Sequence, residues 1–134
     1  MRISQGRKAR ATLVYKFKYL NRKFNFKVRR MELKINECWN HIRNELGSRG
    51  QNFITWSVYN PQKLPFTARA DDNSIIVDSP SITSPRPIYY KEFECVFGFY
   101  EDYINRVSGI RPKMKRCGYN SSYIITLIHK FCTN

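Results

Sequence analysis

The first 30 positions of this 134-residue chain contain no acidic residue, although ten occur in the rest. No apolar run approaches the ~20 residues that a membrane-spanning helix needs. The cationic start lacks the apolar stretch of a secretory leader, because Leu13-Val14-Tyr15 is followed at once by Lys16 and Lys18. An arginine-rich, acid-free start suits an organellar transit peptide in composition. Its apolar residues alternate at period two, however, which makes a poor amphipathic helix. There is no glycine-rich phosphate loop, since Gly47 and Gly50 bracket a helix end instead. Carboxylates are not clustered for metal-assisted hydrolysis. Asp71, Asp72 and Asp78 lie in and after a turn, while Glu92, Glu94, Glu101 and Asp102 take the polar side of a helix. The two histidines, His41 and His129, fall on different helices and complete no triad with a particular serine. These absences lead us to expect a protein that is not an enzyme and that carries no cofactor.

What the chain has in excess is positive charge, 24 basic residues against ten acidic ones, for a formal +14. Eleven of the 24 are Arg2, Arg7, Lys8, Arg10, Lys16, Lys18, Arg22, Lys23, Lys27, Arg29 and Arg30. From Met31 onward the charges are mixed, with 13 basic and ten acidic residues. Either residues 1–30 are a cationic arm that seeks polyanions, or they are an extension upstream of a domain beginning at Met31. The polyanions that suit such a charge are nucleic acid and anionic membrane surfaces. Aromatics at 15% argue against disorder, and the length suits one domain. With no secretory leader, the four cysteines Cys38, Cys95, Cys117 and Cys132 are expected as reduced thiols in a cytoplasmic protein.

Residues 1–12 read as a basic tail. Tyr15, Phe17 and Tyr19 alternate with lysines, and Phe24 and Phe26 alternate with Asn25 and Lys27, the pattern of a basic β-hairpin turning at Asn21-Arg22-Lys23. Its aromatic face suits an ordinary core-facing strand pair or a platform for bases. Ile35, Cys38, Trp39, Ile42 and Leu46 predict a helix from Met31 to Leu46, stopped by Gly47. Phe53–Tyr59 reads as a strand, and Phe66–Ala70 with Ser74–Asp78 as a hairpin turning at Asp71-Asp72-Asn73. Pro80, Pro85 and Pro87 mark residues 79–87 as a loop. Phe93, Val96, Phe97, Tyr100, Ile104 and Val107 predict a long helix ending at Ser108-Gly109. Asn120 is placed to cap a last helix with the stripe Ile124, Leu127, Ile128 and Phe131.

An ordered set of short motifs runs through this region: Trp39, Phe53-Ile54-Thr55, Pro65-Phe66-Thr67, Arg86-Pro87-Ile88, Phe93-Glu94, and Asn120-Ser121-Ser122-Tyr123-Ile124 with His129. In order and spacing, residues 31–131 resemble a small bacterial module of integron gene cassettes and other mobile elements. The resemblance implies a compact α+β domain and no enzyme activity. The chain departs from that pattern at Tyr89, where the family carries a capping serine, and in having a segment before Met31.

Three constellations stand out. Cys38-x-x-His41 and His129-x-x-Cys132 have the residue types of a zinc site but not its usual spacing, and Cys38 and Cys132 serve equally as small core residues. Arg111, Lys113, Lys115 and Arg116 form a basic loop around Pro112 ahead of the last helix, where exposed amides suit a phosphate; a solvated connector explains it equally. Tyr90 and Tyr103 fall off the apolar stripe of the long helix, which predicts solvent-facing side chains in a monomer and a contact with a second copy or a partner. The fold expected is α+β: a basic β-hairpin or tail over 1–30, then over 31–134 one helix, a small antiparallel sheet and two C-terminal helices. The function expected is nucleic-acid binding, DNA or RNA, through Arg111, Lys113, Lys115, Arg116 and every arm cation except Arg2. The alternative is a protein–protein or oligomerisation module with an incidental N-terminal extension.

Overall fold

The structure is a computed structural model. It describes residues 34–59 and 63–133. The basic hairpin or tail expected over 1–30, with its candidate contacts from Arg7 to Arg30, lies outside the described residues.

Helix α1 occupies 34–46. Ile35, Cys38, Trp39, Ile42 and Leu46, spaced for one helical face, are all buried as expected. Gly47 ends the helix at φ +60°, a left-handed conformation that costs glycine nothing, and its N–H returns to the Arg43 carbonyl at 3.0 Å. Four strands follow: β1 (Gln51–Ile54), β2 (Pro65–Ala70), β3 (Ser74–Asp78) and β4 (Arg86–Tyr89). They form one antiparallel sheet in chain order. Its registers pair Phe53 with Phe66, Ala68 with Val77 and Ile75 with Ile88, so one face carries a continuous apolar layer. Thr67, Arg69 and Asp78 alternate onto the opposite, exposed face.

Two strand assignments change. The strand expected over Phe53–Tyr59 ends at Ile54; Thr55 still bonds Leu64, and from Trp56 onward the partners lie off the sheet. The loop expected over 79–87 yields a fourth strand at its end. Pro87 is admitted there because β4 is an edge, where a missing N–H breaks no ladder.

Helix α2 (Tyr90–Ile104) buries Phe93, Val96, Tyr100 and Tyr103. Helix α4 (Ser121–Cys132) buries Tyr123 through Leu127 and Ile128. Phe131 of α4 meets Phe53 edge-on, and Tyr123 lies 4.8 Å from Phe66, which sets α4 on the apolar face of β1 and β2. Trp39 joins α1 to α2 through Tyr90 and Phe93, at 5.6 and 5.1 Å between ring centres. Between α2 and α4 lies a further element that the sequence reading had as a loop, the short helix α3 (Ile110–Lys115).

All four cysteines are paired. Cys38–Cys132 ties α1 to α4, and Cys95–Cys117 ties α2 to the turn after α3. The expectation of reduced thiols is overturned: cysteines 94 and 22 residues apart in sequence are brought into bonding contact by the packing of the helices that carry them. Among the described residues no helix is long and apolar enough to cross a membrane.

Candidate nucleic-acid interface

The basic run from Arg111 to Arg116 is a helical surface. Ile110 and Met114, four residues apart, are buried and bolt α3 to the core. That anchoring turns Arg111, Lys113, Lys115 and Arg116 to solvent, and all four are exposed. Pro112 falls in the first turn, where its missing N–H breaks no helical bond. The C-terminal end of α3 is held by the Cys95–Cys117 disulfide.

A second anchor is aromatic. The Arg111 guanidinium lies 4.7 Å from the centre of the Tyr59 ring, and that of Arg106 lies 5.9 Å from it. Arg106 also donates from Nη2 to the Val58 carbonyl at 2.5 Å. Tyr59 in turn meets Tyr103 edge-on at 5.3 Å. The Tyr103 hydroxyl bonds Ser57 Oγ at 2.9 Å and accepts the Val58 N–H at 3.3 Å. Residues 56–59 are thereby drawn off the sheet toward the end of α2.

This arrangement corrects the reading of Tyr103. It is 4% exposed and bonded within its own chain, so it does not face solvent. Tyr90 is half-buried against Trp39. The stripe drawn through Ile104 and Val107 was too far round the helix: both are exposed, and burial follows Phe93, Val96, Tyr100 and Tyr103. Neighbouring rows on one helix differ by a single position, and the hydroxyl's partners on residues 57 and 58 select the row containing Tyr103.

The start of α4 is also corrected. Its amides were expected to be open to a phosphate, but the Glu92 carboxylate of α2 lies at the cap residue just before them. Glu92 accepts the Asn120 N–H at 3.0 Å and the Asn120 Nδ2 at 3.1 Å. A carboxylate at this end of a helix is favourably placed against its dipole and repels a second anion. Gly118, at φ +155°, passes so close that an added Cβ would run into the Glu92 carboxylate. Asn120 occupies the cap position, yet its side chain makes no cap bond. The exposed cations thus lie on and just after α3, while a carboxylate lies at the start of α4.

The zinc-like constellation resolves into packing. Cys38 and Cys132 are bonded to each other. His41 meets Phe131 edge-on, and His129 stacks flat on Trp56 with ring centres 3.6 Å apart. Among the described residues no group of three or more His, Cys, Asp or Glu side chains is placed to hold a metal ion.

No family model, curated protein or solved structure matches this chain. The site therefore has to be read from its own residues. Three of them were not singled out by the sequence. Glu92 and Gly118 gave no signal, because their contact joins positions 26 residues apart. Tyr119 stands out in the sequence only as a tyrosine just ahead of the last helix. In the structure it is 91% exposed, one residue before the cap of α4.

Proposed function

We propose that this protein is a non-enzymatic accessory module that binds nucleic acid through charge. The observation that carries the reading is the outward side of α3, where three exposed cations, followed at once by Arg116, stand on a helix whose apolar residues are locked inside. Its surroundings in the sequence share the sign. After Asp102 the chain has no acid at all, while Arg106, Arg111, Lys113, Lys115, Arg116 and Lys130 contribute six positive charges. Cations that neutralise phosphates release condensed counterions, so such a surface gives salt-dependent binding without sequence readout. The acid-free first 30 residues add eleven further cations to the same reading.

The burial of Tyr103 removes one of the two side chains on which the self-association alternative rested. The mobile-element setting rests on the ordered motifs alone. The two disulfides favour an oxidising environment over the cytoplasmic one first expected.

The test is a titration of a nucleic-acid probe at several salt concentrations. Replacing Arg111, Lys113, Lys115 and Arg116 together by glutamine should weaken binding. It should also reduce the slope of log affinity against log salt by up to about 3, given roughly 0.7–0.9 per phosphate contact. An unchanged affinity and slope would refute the assignment of α3.

A further inference from the structure

The nucleic-acid reading leaves one feature unexplained. Tyr119 carries a large aromatic ring at 91% exposure, on a segment that is tied down on both sides. Two residues before it, Cys117 is bonded to Cys95 of α2. One residue before it, Gly118 lies against the Glu92 carboxylate in a left-handed conformation that a side chain would strain. One residue after it, Asn120 is held by two hydrogen bonds to the same carboxylate. Ser121 then donates from Oγ to the Met114 carbonyl at 3.1 Å, which closes the segment back onto α3.

Exposed aromatic rings occur singly on many surfaces and need no explanation by themselves. Here the surroundings supply one. A disulfide, a close glycine contact and a two-pronged carboxylate bond fix the backbone on both sides of a ring that touches almost nothing. Ordering the ring's attachment in advance lowers the entropy lost when a flat ligand covers it. Arg116, at the end of α3, is three residues away, so its Cα lies within about 11 Å of that of Tyr119. The ring is thus carried on the segment that directly follows the exposed cations of α3, in a part of the chain that has no acid after Asp102. The neighbouring Glu92 carboxylate has both oxygens engaged by Asn120.

We propose that Tyr119 is a stacking platform for an unpaired base, and that the ligand of this surface is single-stranded nucleic acid, its phosphates held by Arg111, Lys113, Lys115 and Arg116. The inference rests on the nucleic-acid reading above and narrows it. Bases in a duplex are stacked on one another and offer no free face, whereas any unpaired base offers one, so an exposed ring on a basic surface discriminates strandedness without reading sequence. Phosphate contacts set the strand's path and Tyr119 fixes one base along it.

The experiment uses the full chain with its disulfides intact. The probes are an oligothymidylate of about 12 nucleotides, within the span that one small single-strand binding domain covers, and a dA·dT duplex of the same length. Tyr119→Ala should leave the melting temperature unchanged, because the ring is outside the core. It should weaken binding to the single strand about 5- to 150-fold, the range that loss of one base–aromatic stack produces. Duplex binding and both salt slopes should stay as in the wild type. Tyr119→Phe, which keeps the ring and drops the hydroxyl, should bind the single strand as the wild type does. If Tyr119→Ala binds the single strand with wild-type affinity while salt-dependent binding persists, the stacking role is overturned and the charge-based reading stands. If the full chain binds neither probe in a salt-dependent way, both fall together.

Discussion

Two tyrosines one turn apart on α2 show how differently one residue type is used. The Tyr103 hydroxyl is satisfied by Ser57 and Val58. The Tyr100 hydroxyl is buried with no hydrogen-bond partner among the described residues. Removing a bonded buried hydroxyl strands its partners, whereas removing an unbonded one relieves a desolvation cost. Tyr103→Phe should therefore lower stability by about 1–2 kcal/mol in urea unfolding, and Tyr100→Phe should leave it equal or higher. Burial, assisted by the nearby Tyr103, pushes the Tyr100 phenol up from 10.0 to about 12. The neutral form is the one the fold favours, so the contribution is intact below the unfolded value and is lost as pH rises through the folded one. Stability should fall between about pH 10 and pH 12 in the wild type, and Tyr100→Phe should flatten that decline. A decline of equal steepness in both proteins would assign the alkaline sensitivity to other groups. The sequence did not show this division, because the identity of a hydroxyl's partner depends on chain 40 or more residues away.

At the scale of elements, periodicity was informative for α1, for β2 with β3 and for α4, and misled at the end of α2, where Ile104 is exposed and Tyr103 buried. The stripe of α1, the hairpin of β2 and β3, and the stripe of α4 all follow the pattern of their apolar residues. Short pieces held by long-range partners were not legible. β4 has four residues, one of them proline, and α3 has six, again with a proline. Residues 56–59 look like a continuing strand and leave the sheet, Trp56 stacking on His129 and donating its N–H to Thr126 Oγ1 at 2.9 Å. The start of α2 shows a local rule broken. Tyr89 occupies the cap position with an extended backbone, is 54% exposed and makes no side-chain cap bond. Serine accepts a helix N–H from that position and is worth about 1 kcal/mol there, so Tyr89→Ser should raise the melting temperature by roughly 4–8 °C. A fall on that substitution would mean that pairing of Tyr89 with Ser74 at the strand end outweighs the cap.

Cross-links between elements supply the largest single contributions. The cysteines were visible in the sequence, but four of them allow three pairings, and the one formed depends on which helices lie side by side. Cys38–Cys132 closes a span of 94 residues and Cys95–Cys117 one of 22. Loop-closure entropy assigns them about 4–5 and about 3 kcal/mol. Replacing both members of the first pair by alanine should therefore lower the urea midpoint more than replacing both members of the second. The second replacement should act instead on α3 and Tyr119, whose supporting turn it frees. Two free thiols or more in the folded, unreduced protein would overturn the pairing.

Over the whole molecule the charge is divided unevenly along the chain, and this was the most legible feature of the candidate site. Residues 1–30 and the stretch after Asp102 hold 17 of the 24 cations and none of the ten acids. The sequence located the cations of α3 but did not show the carboxylate at the tip of α4, because nothing local reveals that Glu92 of α2 bonds Asn120 there. If both basic regions engage one polyanion, their counterion releases add in the salt slope. A chain beginning at Met31 should then bind the single-stranded probe more weakly at low salt and with a shallower slope than the full chain. The loss of slope should exceed that from the four α3 substitutions, since eleven cations are removed instead of four. Combining the truncation with the α3 substitutions should nearly abolish the salt dependence. A truncated chain with the full slope would make residues 1–30 incidental to binding, and the α3 flank with Tyr119 would then be the complete site.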